Sequence, residues 1–172
     1  MPRKYFRKYL PDPEVVLAKR WAAPFRPWLG HPNLWYLNRR SVSGAVAIGL
    51  FAGLIPGPVQ MLAALLLAIP LRRNIPVAMI VTLYTNPLTI VPIYLLAYAF
   101  GRLLLPGQHA SVTQEFEMDL DWLLALGKPL AVGLLGLGLI FALIGYVTTM
   151  LAWRVLVVAA WRARAQRRKP QP

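Results

Sequence analysis

Three stretches of this chain, Ser41 to Leu71, Asn74 to Gly101 and Pro129 to Trp153, carry no Asp, Glu, Lys or Arg. Each is long enough to cross a hydrocarbon layer of roughly 30 Å, which takes about 20 apolar residues as helix. Lipid offers the main chain no hydrogen bonds, so a spanning segment must satisfy its own polar groups. The pattern therefore predicts an all-α integral membrane protein with at least two transmembrane helices. A composition of 58% hydrophobic and 15% charged residues fits that class better than a soluble domain.

The first run is 31 residues long. As continuous helix it would measure about 46 Å, too long for one simple span and too short for two. Its middle, Gly53-Leu54-Ile55-Pro56-Gly57-Pro58-Val59-Gln60, cannot stay helical, because Pro56 and Pro58 lack an amide donor and their rings clash with the preceding turn. Region 41–71 is therefore expected to be broken or re-entrant. Region 75–101 has Tyr84-Thr85-Asn86-Pro87-Leu88-Thr89 at its centre and is expected to be a broken transmembrane segment. Superimposing Gly57-Pro58-Val59-Gln60 on Asn86-Pro87-Leu88-Thr89 pairs Leu54 with Leu83, Leu66 with Leu95 and Ala68 with Ala97. An internal repeat at an offset of 29 residues is one explanation, and chance matching of apolar segments is the other. Region 129–153 is the cleanest predicted span, and Gly133, Gly136, Gly138 and Gly145 give it small surfaces for a neighbouring helix.

The remaining segments read as interfacial. In region 1–40, Lys4, Arg7 and Lys8 share one helical face and Phe6, Tyr9 and Leu10 another, which predicts a short surface helix. Trp21, Phe25, Trp28, Trp35 and Tyr36 among Pro24, Pro27 and Pro32 predict an aromatic belt at head-group depth, with a disordered tail as the alternative. Region 102–128 holds Glu115, Glu117, Asp119 and Asp121 alternating with apolar residues and is expected to be an exposed acidic loop. Region 162–172 is a basic tail, and 41–161 forms a single helical membrane domain.

The net charge of +13 is placed beside the apolar runs, which points to membrane flanking and anionic head groups and away from nucleic acid. No cleaved signal peptide is expected, because the first forty residues are polar, basic and aromatic. Cysteine is absent, which removes disulfides, thiolate metal sites and cysteine nucleophiles. If all three runs spanned, eleven basic residues would lie inside and eight outside. If the first run dips in and returns, seventeen lie inside and two outside. The positive-inside rule prefers the second arrangement, with both termini inside and the acidic loop outside. A re-entrant main chain needs protein partners, and a second copy of the chain could supply them, so a homo-oligomer is expected.

Gln60, Thr85, Asn86 and Thr89 stand beside Pro56, Pro58 and Pro87 at the breaks. Freed main-chain groups and half-helix ends there could hold an ion or small polar group, or these side chains could satisfy the backbone that proline leaves unpaired. Arg39, Arg40, Arg72, Arg73 and Asn74 are candidate head-group contacts, since guanidinium suits phosphate, with topological anchoring as the alternative. No carboxylate or histidine interrupts the apolar runs, which weighs against a proton relay. The acidic stretch with His109 could suggest a divalent-metal loop, but its spacing does not close a cage and a solvated face is the better reading. No glycine-rich phosphate loop, nucleophile elbow or zinc signature is present, so no catalytic residue, metal or cofactor is assigned and no enzyme is expected.

The ordered series His31-Pro32-Asn33-Leu34-Trp35, Asn38-Arg39-Arg40-Ser41-Val42, Gly49-Leu50-Phe51-Ala52-Gly53-Leu54-Ile55-Pro56, Gln60, Arg73-Asn74 and Asn86-Pro87-Leu88-Thr89 resembles the prokaryotic membrane family catalogued as domain of unknown function 2062. The resemblance covers about residues 25 to 155 and implies a multi-pass protein of the bacterial inner membrane. Some relatives join this domain to a sugar-transferring one, which implies a setting near lipid-linked sugars. The leading expectation is a non-enzymatic protein that binds or moves a small polar solute or lipid head group. The alternatives are a membrane scaffold or anchor for envelope proteins, and an accessory to lipid-linked sugar metabolism.

Overall fold

The computed structural model describes residues 26–106 and 127–167. The expected surface helix around Lys4 to Leu10, and the acidic stretch Glu115 to Asp121 with His109, lie outside the described residues. Among the described residues every regular element is helical and none is a strand. The elements are α1 (Arg26–Leu29), a 3-10 turn (Pro32–Leu34), α2 (Arg39–Ala52), α3 (Val59–Ala68), α4 (Ile75–Thr82), α5 (Ile90–Leu104) and α6 (Gly127–Arg167).

The segment before α2 is held by its own polar side chains. His31 Nδ1 accepts the Asn33 N–H at 3.2 Å, the Trp35 indole donates to Leu29 O at 2.7 Å and the Ser41 hydroxyl donates to Asn33 O at 2.5 Å. Leu34 is thereby driven into a core with Leu29, Ala45, Ile48, Ala64, Ala68 and Ile75. The expected aromatic belt is therefore only partly surface: Trp28 and Tyr36 are exposed, whereas Trp35 packs against that core. α2 starts at Asn38, whose Oδ1 accepts the Ser41 N–H at 2.7 Å and satisfies one of the free donors of the first turn.

α2 stops at the proline pair, and α3 turns back along it as far as Arg72 and Arg73. α4 then runs parallel to α2 in a fixed register. A Cβ on Gly44 would meet the Arg73 side chain, one on Gly49 the Ala78 carbonyl, and one on Gly53 the Thr82 carbonyl. Each of those pairs is 29 positions apart, the offset at which the two stretches align in sequence. The two breaks consequently lie side by side. Beyond them the stretches differ: α3 folds back, whereas α5 continues away and packs against α6.

α6 runs antiparallel to both α5 and α2. Gly101 and Gly133 bring α5 and α6 into main-chain contact, since a Cβ on Gly133 would overlap the Ala97 carbonyl and one on Gly101 the Pro129 carbonyl. Gly138 lies against Phe51 and Leu54, and Gly145 against Val46 and Leu50. Small residues on facing helices allow this approach, as in membrane helix pairs.

Residues 127–162 of α6 form one helix long and apolar enough to cross a membrane, with a mean hydropathy of 2.4 in the best window. Only 28% of that window is buried, which is unlike the core helix of a soluble protein. α6 outruns the expected span 129–153 at both ends, and beyond Trp153 it continues because no Gly or Pro between Arg154 and Arg167 stops it. Arg102, expected in the loop, sits instead in the last turn of α5, where a cation suits the helix dipole.

Candidate functional site

The two breaks close on each other. At the end of α2 the Leu54 N–H turns to Phe51 O at 3.3 Å and leaves the Leu50 carbonyl without its helical donor. The Tyr84 hydroxyl fills that place at 2.7 Å. The Tyr94 hydroxyl, on α5, donates to Leu54 O at 2.8 Å. Thr85 Oγ1 lies 2.5 Å from Gly53 O, 3.1 Å from Thr82 O and 2.8 Å from Gln60 Oε1, and with one proton it donates to one of them at a time. Three hydroxyls of the second stretch thus cap the frayed carbonyl end of the first.

Asn86, Pro87 and Thr89 form a second closed unit. Asn86 Oδ1 accepts the Leu88 and Thr89 N–H groups at 3.0 and 3.2 Å, while Thr89 Oγ1 accepts the Asn86 N–H at 2.9 Å and donates to Tyr84 O at 2.7 Å. These side-chain bonds close the turn that leads into α5, whose N-cap is Thr89. Pro87 sits inside this turn and is exposed, as are Pro56, Gly57 and Pro58 in the first break. Gly57 has a φ of 71°, a conformation that glycine adopts at no steric cost. The polar side chains expected at the breaks are therefore brought together, and their hydrogen bonds go to main chain and to one another.

Of the arginine candidates, Arg73 and Arg40 come into contact, where the start of α2 meets the turn that follows α3. Arg73 Nη1 donates to Arg40 O at 2.6 Å, and the stem of Arg73 lies across Gly44, where any side chain would displace it. Arg39, Arg40 and Arg72 are exposed and Arg73 is half-buried. Arg72 has a φ of 52°, uncommon for a residue with a Cβ and costing on the order of 1 kcal/mol. Asn74, expected as a head-group contact beside them, is fully buried instead. It caps α4 by accepting the Val77 N–H at 3.0 Å, and its Nδ2 is the one buried side-chain nitrogen or oxygen without a partner among the described residues.

All six acidic side chains of the chain fall outside the described residues, so among the described residues no carboxylate pairs with the four arginines. At the opposite end Arg102 differs, lying 5.9 Å from the Tyr98 ring centroid in a cation–π contact. Tyr94 and Gly44 are positions that motif reading passes over, and Tyr84 stands in the break sequence without a role. A tyrosine within an uncharged run is a usable signal, because its hydroxyl must find a partner when buried.

A family model described as an uncharacterized protein conserved in bacteria, DUF2062, matches residues 22–162, most of the chain, and the chain belongs to that family. No curated protein and no solved structure matches it.

Proposed function

We propose that this member of the DUF2062 family is a multi-pass bacterial inner-membrane protein that binds anionic lipid head groups through Arg39, Arg40, Arg72 and Arg73. The observation that carries it is the layering of the basic residues. α2 is antiparallel to α6, with Leu54 against Gly138 and Val46 against Gly145. Two further turns bring Arg39 and Arg40 level with the turn of α6 that leads to Arg154. Arg72 and Arg73 join them through the Arg73 to Arg40 bond. At the other end the Gly101 to Pro129 contact sets Arg102 beside Lys128.

Lys128 and Arg154 are separated by about 40 Å of helix, and no charged residue lies between them. That length suits a hydrocarbon core with its interfaces, roughly 40–45 Å in all. The hairpin 41–71 then dips in and returns, 75–101 and α6 cross, and the arginine face is cytoplasmic, consistent with seventeen basic residues against two. Movement of a polar solute through the breaks has less support, because the polar groups there are engaged with each other. Pro56, Gly57, Pro58 and Leu88 are exposed at the depth of the breaks, where lipid leaves main-chain groups unpaired. A homo-oligomer covering them belongs to the same proposal.

Removing the exposed charges by Arg39→Gln, Arg40→Gln and Arg72→Gln together is expected to cut retention of phosphatidylglycerol over phosphatidylcholine in nanodiscs about tenfold, or about 1.4 kcal/mol. Arg154→Gln, Arg162→Gln and Arg164→Gln, an equal loss of charge along exposed α6, serves as the control and should change retention less than about twofold. Equal effects of the two triple variants would refute a dedicated head-group face.

A further inference from the structure

We infer that the arginine face is selective for a phosphomonoester carried on a lipid, over the phosphodiester of an ordinary anionic phospholipid. This deepens the head-group reading above and rests on it. The arrangement is built rather than incidental. The Arg73 stem fits only because Gly44 has no side chain, and one of its N–H groups is fixed on the Arg40 carbonyl at 2.6 Å. A guanidinium has five N–H donors, so most of those on Arg73 remain for a ligand, already oriented. Arg72 holds its place with a left-handed backbone, a conformation that glycine would adopt at lower cost.

Charge then decides between ligand classes. The Arg73 to Arg40 bond joins the Arg72–Arg73 pair to the Arg39–Arg40 pair among described residues that hold no carboxylate, and neighbouring like charges repel one another unless an anion joins them. A phosphodiester brings one charge and two free oxygens. A phosphomonoester brings about 1.5 to 2 charges and three strong acceptor oxygens, which the fixed Arg73 fork can share with Arg40, whose carbonyl it bonds, and with Arg72, its neighbour in the chain. The other basic layer lacks this feature, since Arg102 is engaged with Tyr98. The face lies at the proposed head-group level, so the phosphate is presented by a lipid whose chains lie along the bundle.

The test uses the full chain in phosphatidylcholine nanodiscs doped with phosphatidic acid or with phosphatidylglycerol at matched charge. Wild type is expected to retain phosphatidic acid about tenfold better. Gly44→Ala, which keeps every arginine but displaces Arg73, and Arg73→Lys, which keeps the charge but loses the fork, should each reduce that preference below about twofold. Monodispersity in gel filtration establishes that each variant is folded, and Arg73→Lys carries the test if Gly44→Ala is not. An excess of inorganic phosphate should leave the lipid bound, and its displacement would overturn the lipid source in favour of free phosphate. Equal retention of the two lipids, or a preference surviving in the folded variants, would overturn phosphomonoester selectivity while leaving the broader reading intact. Retention of neither lipid above phosphatidylcholine would remove the head-group reading itself.

Discussion

Gly133→Leu is expected to abolish folding, with no monodisperse peak in gel filtration and a loss of more than about 4 kcal/mol. A Cβ at Gly133 would overlap the Ala97 carbonyl, and the reciprocal contact sets Gly101 on the Pro129 carbonyl. Both obstacles are main chain inside helices, so no rotamer change relieves the overlap and α5 must move away from α6. Separation would expose Leu130, Leu137, Tyr94 and Tyr98, the buried residues that join these helices. Leu139 on α6 is exposed, and Leu139→Ala is the matching control, expected within about 0.5 kcal/mol of wild type. A well-folded Gly133→Leu protein would mean that the two helices do not cross at this point.

The second large effect is expected at the capped end of α2. Thr85→Val with Tyr94→Phe keeps side-chain shape while removing the hydroxyls that face the Gly53 and Leu54 carbonyls. An unsatisfied buried acceptor costs about 1–3 kcal/mol, so the double variant should lose on the order of 4 kcal/mol. The hydroxyl of exposed Tyr36 has no such task, and Tyr36→Phe should be neutral. Thermal unfolding of the purified proteins in one detergent measures the difference. A double variant as stable as wild type would show that the carbonyls at the first break find other partners.

Much of this arrangement is legible in the sequence because proline acts locally. Pro56, Pro58 and Pro87 end helices wherever the chain later goes, so both breaks can be located without knowing any tertiary contact. The return of α3 beside the start of α2 is legible only indirectly, through the charge count that places Arg72 and Arg73 with Arg39 and Arg40. The hydroxyl caps are not legible, since Tyr84 and Tyr94 reach carbonyls 34 and 40 positions away and nothing local specifies those partners. The offset of 29 residues between the broken stretches was visible as an alignment, but its meaning as the packing register of α2 on α4 needed the fold.

Asn74 is a different case. Beside two arginines it resembles a surface group, yet the Pro76 that follows marks a helix start, where asparagine caps and can be buried with the turn. The end of α6 misleads for the opposite reason. Arg154 ends the uncharged run and composition turns basic after Trp161, but charge alone does not stop a helix, and with no Gly or Pro the ladder continues to Arg167.

Single cysteines at positions 36, 71 and 103 test the central claim most directly, because the chain has no cysteine of its own and the replaced Tyr36, Leu71 and Leu103 are exposed. A membrane-impermeant thiol reagent applied to one side of sealed vesicles should reach 36 and 71 together, and 103 only from the opposite side. Labelling of 36 and 71 from opposite sides would make the first uncharged run a plain crossing. It would contradict the hairpin, and with it the single arginine face on which head-group binding depends.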